Sequence, residues 1–193
     1  DISKREIIAS HHLQGDLPLS ILSDGVRNMI ALVADIVHRA IVLNPHFGEQ
    51  APLKTCGIVL IDEIELHLHP RWQQTILESL TKAFPNLQFI VTTHSPQVLT
   101  TVKPESIYLI GWEGEQVVIV KPAFSYGAKS SDVLKEILGV DSRPDNEMTR
   151  LLRQYFDLIR QKQGNSEEAR QIRIKLNEWA YGQDADLVRA DME

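Results

Sequence analysis

Two short apolar runs set most of what this chain can become. In residues 57–63, Gly-Ile-Val-Leu-Ile-Asp-Glu, four apolar and mostly β-branched residues run straight into Asp62 and Glu63. Farther along, residues 87–93, Leu-Gln-Phe-Ile-Val-Thr-Thr, are similar in character and end in His94. Each run is too short for a helix and suits a strand buried on both faces, as in a parallel sheet. Between them, Pro70 stands where a first helical turn begins, and Trp72, Ile76, Leu77, Leu80 and Phe84 recur at helical spacing. Ser95-Pro96 opens a further short helix, through about Val102. Strand, helix, strand, helix is a βαβ unit with a right-handed crossover. The expected class is therefore α/β with a mostly parallel sheet.

The flanks extend this plan. Ile7-Ile8-Ala9 reads as a short strand and residues 16–19, around Pro18, as a loop. Ser23 is a good N-cap, and Val26, Met29, Ile30, Val33, Val37, Ala40 and Ile41 form one helical face that stops near Asn44-Pro45. Residues 45–56 read as a surface loop, and Cys56 as a small buried residue and not a nucleophile. Downstream, 107–112 and 116–121 form a β-hairpin around Glu113-Gly114-Glu115. Ser130 or Ser131 caps a helix that Gly139 closes. Residues 145–162 make a long amphipathic helix, Asn165 with Glu168 has capping-box spacing for the next, and a helical tail starts at Asp184. The expected division is 1–122 for the α/β part and 123–193 for a helical C-terminal region that meets a partner or a second subunit.

Composition narrows the setting. With 193 residues, 43% apolar and 24% charged, the chain supports one core plus a small appendage. No apolar run approaches the ~20 residues that a membrane-spanning helix requires. The first residues lack the apolar centre of a signal peptide. One cysteine rules out an internal disulfide. A cytoplasmic protein with no membrane partner is the expectation. A net charge of −6 excludes a surface given over wholly to nucleic acid. Arg143, Arg150, Arg153, Arg160, Lys162, Arg170, Arg173 and Lys175 in the tail read as solvated helix faces, with a phosphate-binding face as the rival.

The chemistry gathers where strands end. Asp62 and Glu63 sit at the carboxyl end of a parallel strand, the usual ligand-binding side of an open α/β sheet. One acid there holds Mg²⁺, and a neighbour aimed elsewhere takes a proton from an attacking water. The bland alternative is a helix cap plus a solvated acid. His94, at the end of the adjacent strand, reaches a terminal phosphate or that water if the acids are functional. Ser23, the Gly25 backbone and the start of their helix form an anion site or, more simply, an ordinary cap. Glu65, His67 and His69 could together ligate a metal, although alternating histidines alone are a weak signal for one.

Taken in order, Leu22-Ser23-Asp24-Gly25-Val26-Arg27, the run into Asp62-Glu63, and Thr93-His94-Ser95 resemble the ABC-type ATPases, and within them the SMC/RecF-like branch of DNA repair and bacterial defence. Residues 62–70, Asp-Glu-Ile-Glu-Leu-His-Leu-His-Pro, are similar to the Walker B motif and D-loop of OLD and Septu-type ATPases. Residues 124–128, 142–144 and 187–191 resemble the C-terminal part of the Septu PtuA and retron-associated ATPases. The resemblance implies that Asp62 orders Mg²⁺, Glu63 is the general base and His94 senses the γ-phosphate. It implies that Ser23, Gly25 and Arg27 meet the ATP held by a second ATPase subunit, with residues 65–69 crossing that interface. It further implies an HNH-type nuclease partner in anti-phage defence, with a retron reverse transcriptase and its DNA or RNA as another class of partner. The phosphate loop Gly-x-x-x-x-Gly-Lys-Ser/Thr does not occur in these residues. The expectation is thus the C-terminal half of such an ATPase, with the loop supplied from elsewhere. Two rival readings remain: a nucleotide-locked scaffold with little turnover, and the ATPase half of an OLD-type nuclease.

Overall fold

The structure, a computed structural model, describes residues 8–11, 15–181 and 183–190. It divides into two compact units, residues 1–140 and 141–193.

The first unit begins with strands β1 (Ile8–His11) and β2 (Gly15–Pro18), paired antiparallel. The expected strand at 7–9 is thus present from Ile8, with Ile7 outside the described residues. Helix α1 (Asp24–Leu43) follows, and the Ser23 hydroxyl accepts the Val26 N–H at 3.5 Å, as an N-cap does. The segment expected as a loop is partly helical. A 3₁₀ turn (Pro45–Gln50) leads into α2 (Ala51–Lys54), each with a proline in its first turn, and the methyl group of Ala51 is fully buried. Cys56, expected to be buried, is exposed.

Strand β3 (Gly57–Ile61) comes next. The single amphipathic helix expected from Pro70 is two: α3 (Pro70–Gln73), capped by His69 Nδ1 accepting the Arg71 N–H at 3.2 Å, and α4 (Ile76–Ala83). The break falls at Thr75, whose φ of −122° leaves the helical region. Strand β4 (Leu87–Val91) pairs parallel with β3, with Ile61 opposite Val91. Ser95 then caps α5 (Pro96–Leu99) by accepting the N–H groups of Gln97 and Val98.

The β3–β4 pair departs from expectation in its burial. Val59, Ile61, Phe89 and Val91 pack on a core of Ile36, Ile64, Leu68, Ile76, Leu80, Phe84 and Val98. Their alternates do not: Ile58, Leu60 and Ile90 are 63%, 75% and 51% exposed. The sheet is covered on one face only, because α1 and α4 supply one layer and no described element lies over the other.

Strands β5 (Leu109–Glu113) and β6 (Gln116–Val120) form the expected hairpin, turned at Gly114, whose φ is +63°. Helix α6 (Ser130–Glu136) follows without a side-chain cap, because Lys129 holds the N-cap position and the expected caps, Ser130 and Ser131, lie in its first turn. The compact units divide at 140, and 123–140 packs with the first of them. Val133 joins Leu99 and Ile107 in a small core, the buried Ser125 hydroxyl donates to the Val102 carbonyl at 2.6 Å, and Gly127 N–H donates to Thr100.

The second unit is helical: α7 (Glu147–Arg160), α8 (Glu167–Ala180) and α9 (Ala185–Ala190). Leu152, Tyr155, Ala169, Ile172, Leu176 and Leu187 form its core. The cap of α8 is Ser166, accepting the Ala169 N–H, and not Asn165; Glu168 instead accepts the Gln154 side-chain amide. Arg143, Arg150, Arg153 and Arg160 each pair with an aspartate of the same unit.

Candidate functional site

The ladder between β3 and β4 runs one step beyond the strands. Thr92 N–H donates to the Ile61 carbonyl at 3.0 Å, and Ile64 N–H donates to the Thr92 carbonyl at 3.1 Å. The acid pair lies inside this closed step. Thr92 Oγ1 accepts the Glu63 N–H at 2.8 Å and donates its own proton to Asp62 Oδ1. Glu63 adopts φ +48°, a left-handed conformation that costs a residue with a Cβ roughly 1–2 kcal/mol. The turn is held by Thr92 and by Ile64, which is buried in the core. Asp62 and Glu63 are both exposed.

The next turn ties the acids to the histidine. Glu65 Oε2 accepts the Thr93 hydroxyl and Oε1 accepts the His94 N–H, each at 2.6 Å. His94 keeps an exposed side chain at the end of β4. Leu66 N–H donates to Glu63, Leu68 N–H donates to Glu65, and Leu68 is buried. Behind them Ser95 Oγ donates toward Gln73 Oε1 at 2.7 Å, while Gln73 Nε2 donates to the Leu68 carbonyl.

Ser23, Gly25 and Arg27 form a separate cluster at the start of α1. Gly25 is buried, and a Cβ placed there would lie 2.3 Å from the His67 carbonyl oxygen. Only glycine allows that approach. Ser23, Gly25, Val26, His67, Leu68, His69, Arg71 and Trp72 line an open groove of ≈ 830 Å³, whose lining does not include Asp62, Glu63 or His94. Arg27 pairs with Asp24 on its own helix. The predicted site residues thus fall into two groups: Asp62, Glu63 and His94 on the strand ends, and Ser23, Gly25 and Arg27 on the helix start. Residues 64–69 run between the groups.

Sequence reasoning passed over Thr92, and saw Glu65 as a third metal ligand or as part of a segment crossing a subunit interface, not as a partner of Thr93 and His94. No group of three or more metal-ligating side chains occurs among the described residues. The available signal was a pair of hydroxyls, Thr92-Thr93, placed level with the acids one strand away.

The arrangement can be set beside known proteins. A family model described as "AAA domain, putative AbiEii toxin, Type IV TA system" matches residues 6–100. The retron Ec83 probable ATPase of Escherichia coli is 42% identical over 183 residues, which is 93% of this chain and 33% of that protein. The retron Vc95 probable ATPase of Vibrio cholerae serotype O1 biovar El Tor is 37% identical over 94% of this chain and 37% of that protein. The Septu protein PtuA of Bacillus mycoides (strain KBAB4) is 34% identical over 83% of this chain and 23% of that protein. The chain belongs to the ABC-type ATPases of bacterial defence systems. It spans about a third of the length of its retron relatives.

For a chain of this ATPase family, the donor set at the strand ends suits a nucleotide's divalent cation. Asp62 Oδ1 is engaged by Thr92, and its carboxylate is otherwise open to solvent at the carboxyl edge of a parallel pair. No helix is long and apolar enough to cross a membrane among the described residues.

Proposed function

We propose that this chain supplies the hydrolytic acids of an ATP-hydrolysing site shared between two subunits. The observation that carries the reading is the Thr92 hydroxyl, which holds Asp62 and the Glu63 backbone at once beside the end of β4. Asp62 would hold Mg²⁺, directly or through its water shell; bound there, the ion neutralises charge on the transferring phosphoryl group. Glu63 accepts a proton from the attacking water, and His94 faces the terminal phosphate. Ser23 and Gly25, in a group of their own, meet the nucleotide of the second subunit, with Arg27 beside them. Phosphate-cradling residues come from outside these 193 residues. By analogy with the retron and Septu relatives, hydrolysis controls an associated HNH-type nuclease in cytoplasmic anti-phage defence, with a retron reverse transcriptase and its nucleic acid as a further partner.

Glu63→Gln in the full-length protein tests the reading. ATP binding is expected to persist while turnover falls by about 10² or more, the usual share of a general base. Unchanged turnover would overturn the assignment of Glu63. A wild-type protein that binds ATP but shows no measurable turnover would instead make the chain a nucleotide-locked scaffold.

A further inference from the structure

We propose that Glu65 is a positioning residue for His94. The inference rests on the reading of His94 as the residue that faces the terminal phosphate. The imidazole makes no hydrogen bond among the described residues, so its place is set by its backbone and not by a side-chain partner. That backbone is held by Glu65. The two oxygens of one carboxylate take two successive groups at the exit of β4, the Thr93 hydroxyl and the His94 N–H, each at 2.6 Å. Hydrogen bonds to an ionised carboxylate are about twice as strong as neutral ones.

Glu65 is itself fixed. Its carbonyl accepts the N–H of Leu68, which is buried in the core, and the turn between them is closed at His67, with φ +61°. The Thr93 hydroxyl, fastened to Glu65, also accepts the Ser95 N–H at 3.0 Å. Thr93, His94 and Ser95 are thus threaded through one hydroxyl and one carboxylate. A glutamate at position 65 reaches both sites; an amide would present N–H groups where the strand end also offers donors.

Three variants of the full-length protein test this: Glu65→Ala, Thr93→Val and Thr93→Ser. Two readouts apply, the His94 ring signals in ¹H–¹⁵N NMR and the kcat and KM of ATP turnover. Glu65→Ala is expected to move the His94 signals and lower kcat by about tenfold while KM for ATP stays within about twofold. Thr93→Val should change both in the same direction, and Thr93→Ser, which keeps the hydroxyl, should restore both. If Glu65→Ala compromises folding, the two Thr93 variants carry the test. Wild-type signals and kcat in Glu65→Ala, or a Thr93→Ser variant no better than Thr93→Val, would overturn the proposal. Turnover that needs Glu63 but ignores Glu65 sinks this inference alone. If the wild-type protein shows no turnover, the hydrolytic reading fails, and the NMR signals still decide whether Glu65 places His94.

Discussion

The Thr92 hydroxyl accepts the backbone N–H of Glu63 at 2.8 Å, from the neighbouring strand. A side chain on β4's extension therefore fixes the backbone that aims an acid on β3's extension. Thr92→Val keeps the shape and removes the oxygen. It is expected to destabilise the first unit by about 1–2 kcal/mol, because two exposed hydrogen bonds are lost, one from the Glu63 N–H and one to Asp62. Thr92→Ser should stay near wild type. Urea unfolding of the pair checks this, and equal midpoints for valine and serine would refute it.

Gly25→Ala forces a methyl group to within 2.3 Å of the His67 carbonyl, where the obstacle is backbone and does not swing aside. Overpacking of this kind typically costs about 1–3 kcal/mol. A lowered unfolding midpoint is expected even with no nucleotide present. A midpoint equal to wild type would show that the 64–69 turn yields freely.

The two faces of the β3–β4 pair should respond differently. Leu80 is 2% exposed and faces the covered side, so Leu80→Ala is expected to cost about 2–5 kcal/mol. Leu60 is 75% exposed, and Leu60→Gln should change the stability of this chain by no more than about 0.5 kcal/mol. Chemical denaturation of both variants checks the contrast. A large loss at Leu60 would mean that something covers that face in solution.

The second unit carries a pH dependence. Burial pushes the Asp184 carboxyl up, but hydrogen bonds from Arg143 and from the Leu187 and Asp186 N–H groups, with the attraction of Arg143, outweigh it. The carboxyl is held below its ordinary value of 3.8. A depressed folded value stabilises the ionised form, so the contribution is full above 3.8 and disappears as pH falls through the folded value. Acid is expected to loosen α9, and Asp184→Asn should be less stable at neutral pH and lose that acid dependence. Helical circular dichroism across an acid titration is the measurement. Parallel curves for the two proteins would contradict it.

Much of this was legible in the sequence. Gly57–Ile61 and Leu87–Val91 announced a parallel pair, and Ser23 and Ser95 marked helix starts where the structure has them. Local rules failed where two local solutions competed. Asn165 and Ser166 both suit a cap, and one residue of register decided between them. Trp72 and Ile76 share a helical period, yet Thr75 breaks it. The roles of Thr92, Glu65 and Gly25 were illegible for another reason. Each acts on a partner far away in sequence, Thr92 on Asp62, Glu65 on His94 and Gly25 on His67, and only the fold brings these together.

The bare side of the β3–β4 pair has a practical consequence. Ile58, Leu60 and Ile90 give these 193 residues, prepared alone, an adhesive surface of a kind that parallel sheets seldom leave open. Dye binding, chaperone capture or loss on concentration would then be a property of correctly folded molecules. A solubility screen on this segment would reward whatever polypeptide lies over those three side chains.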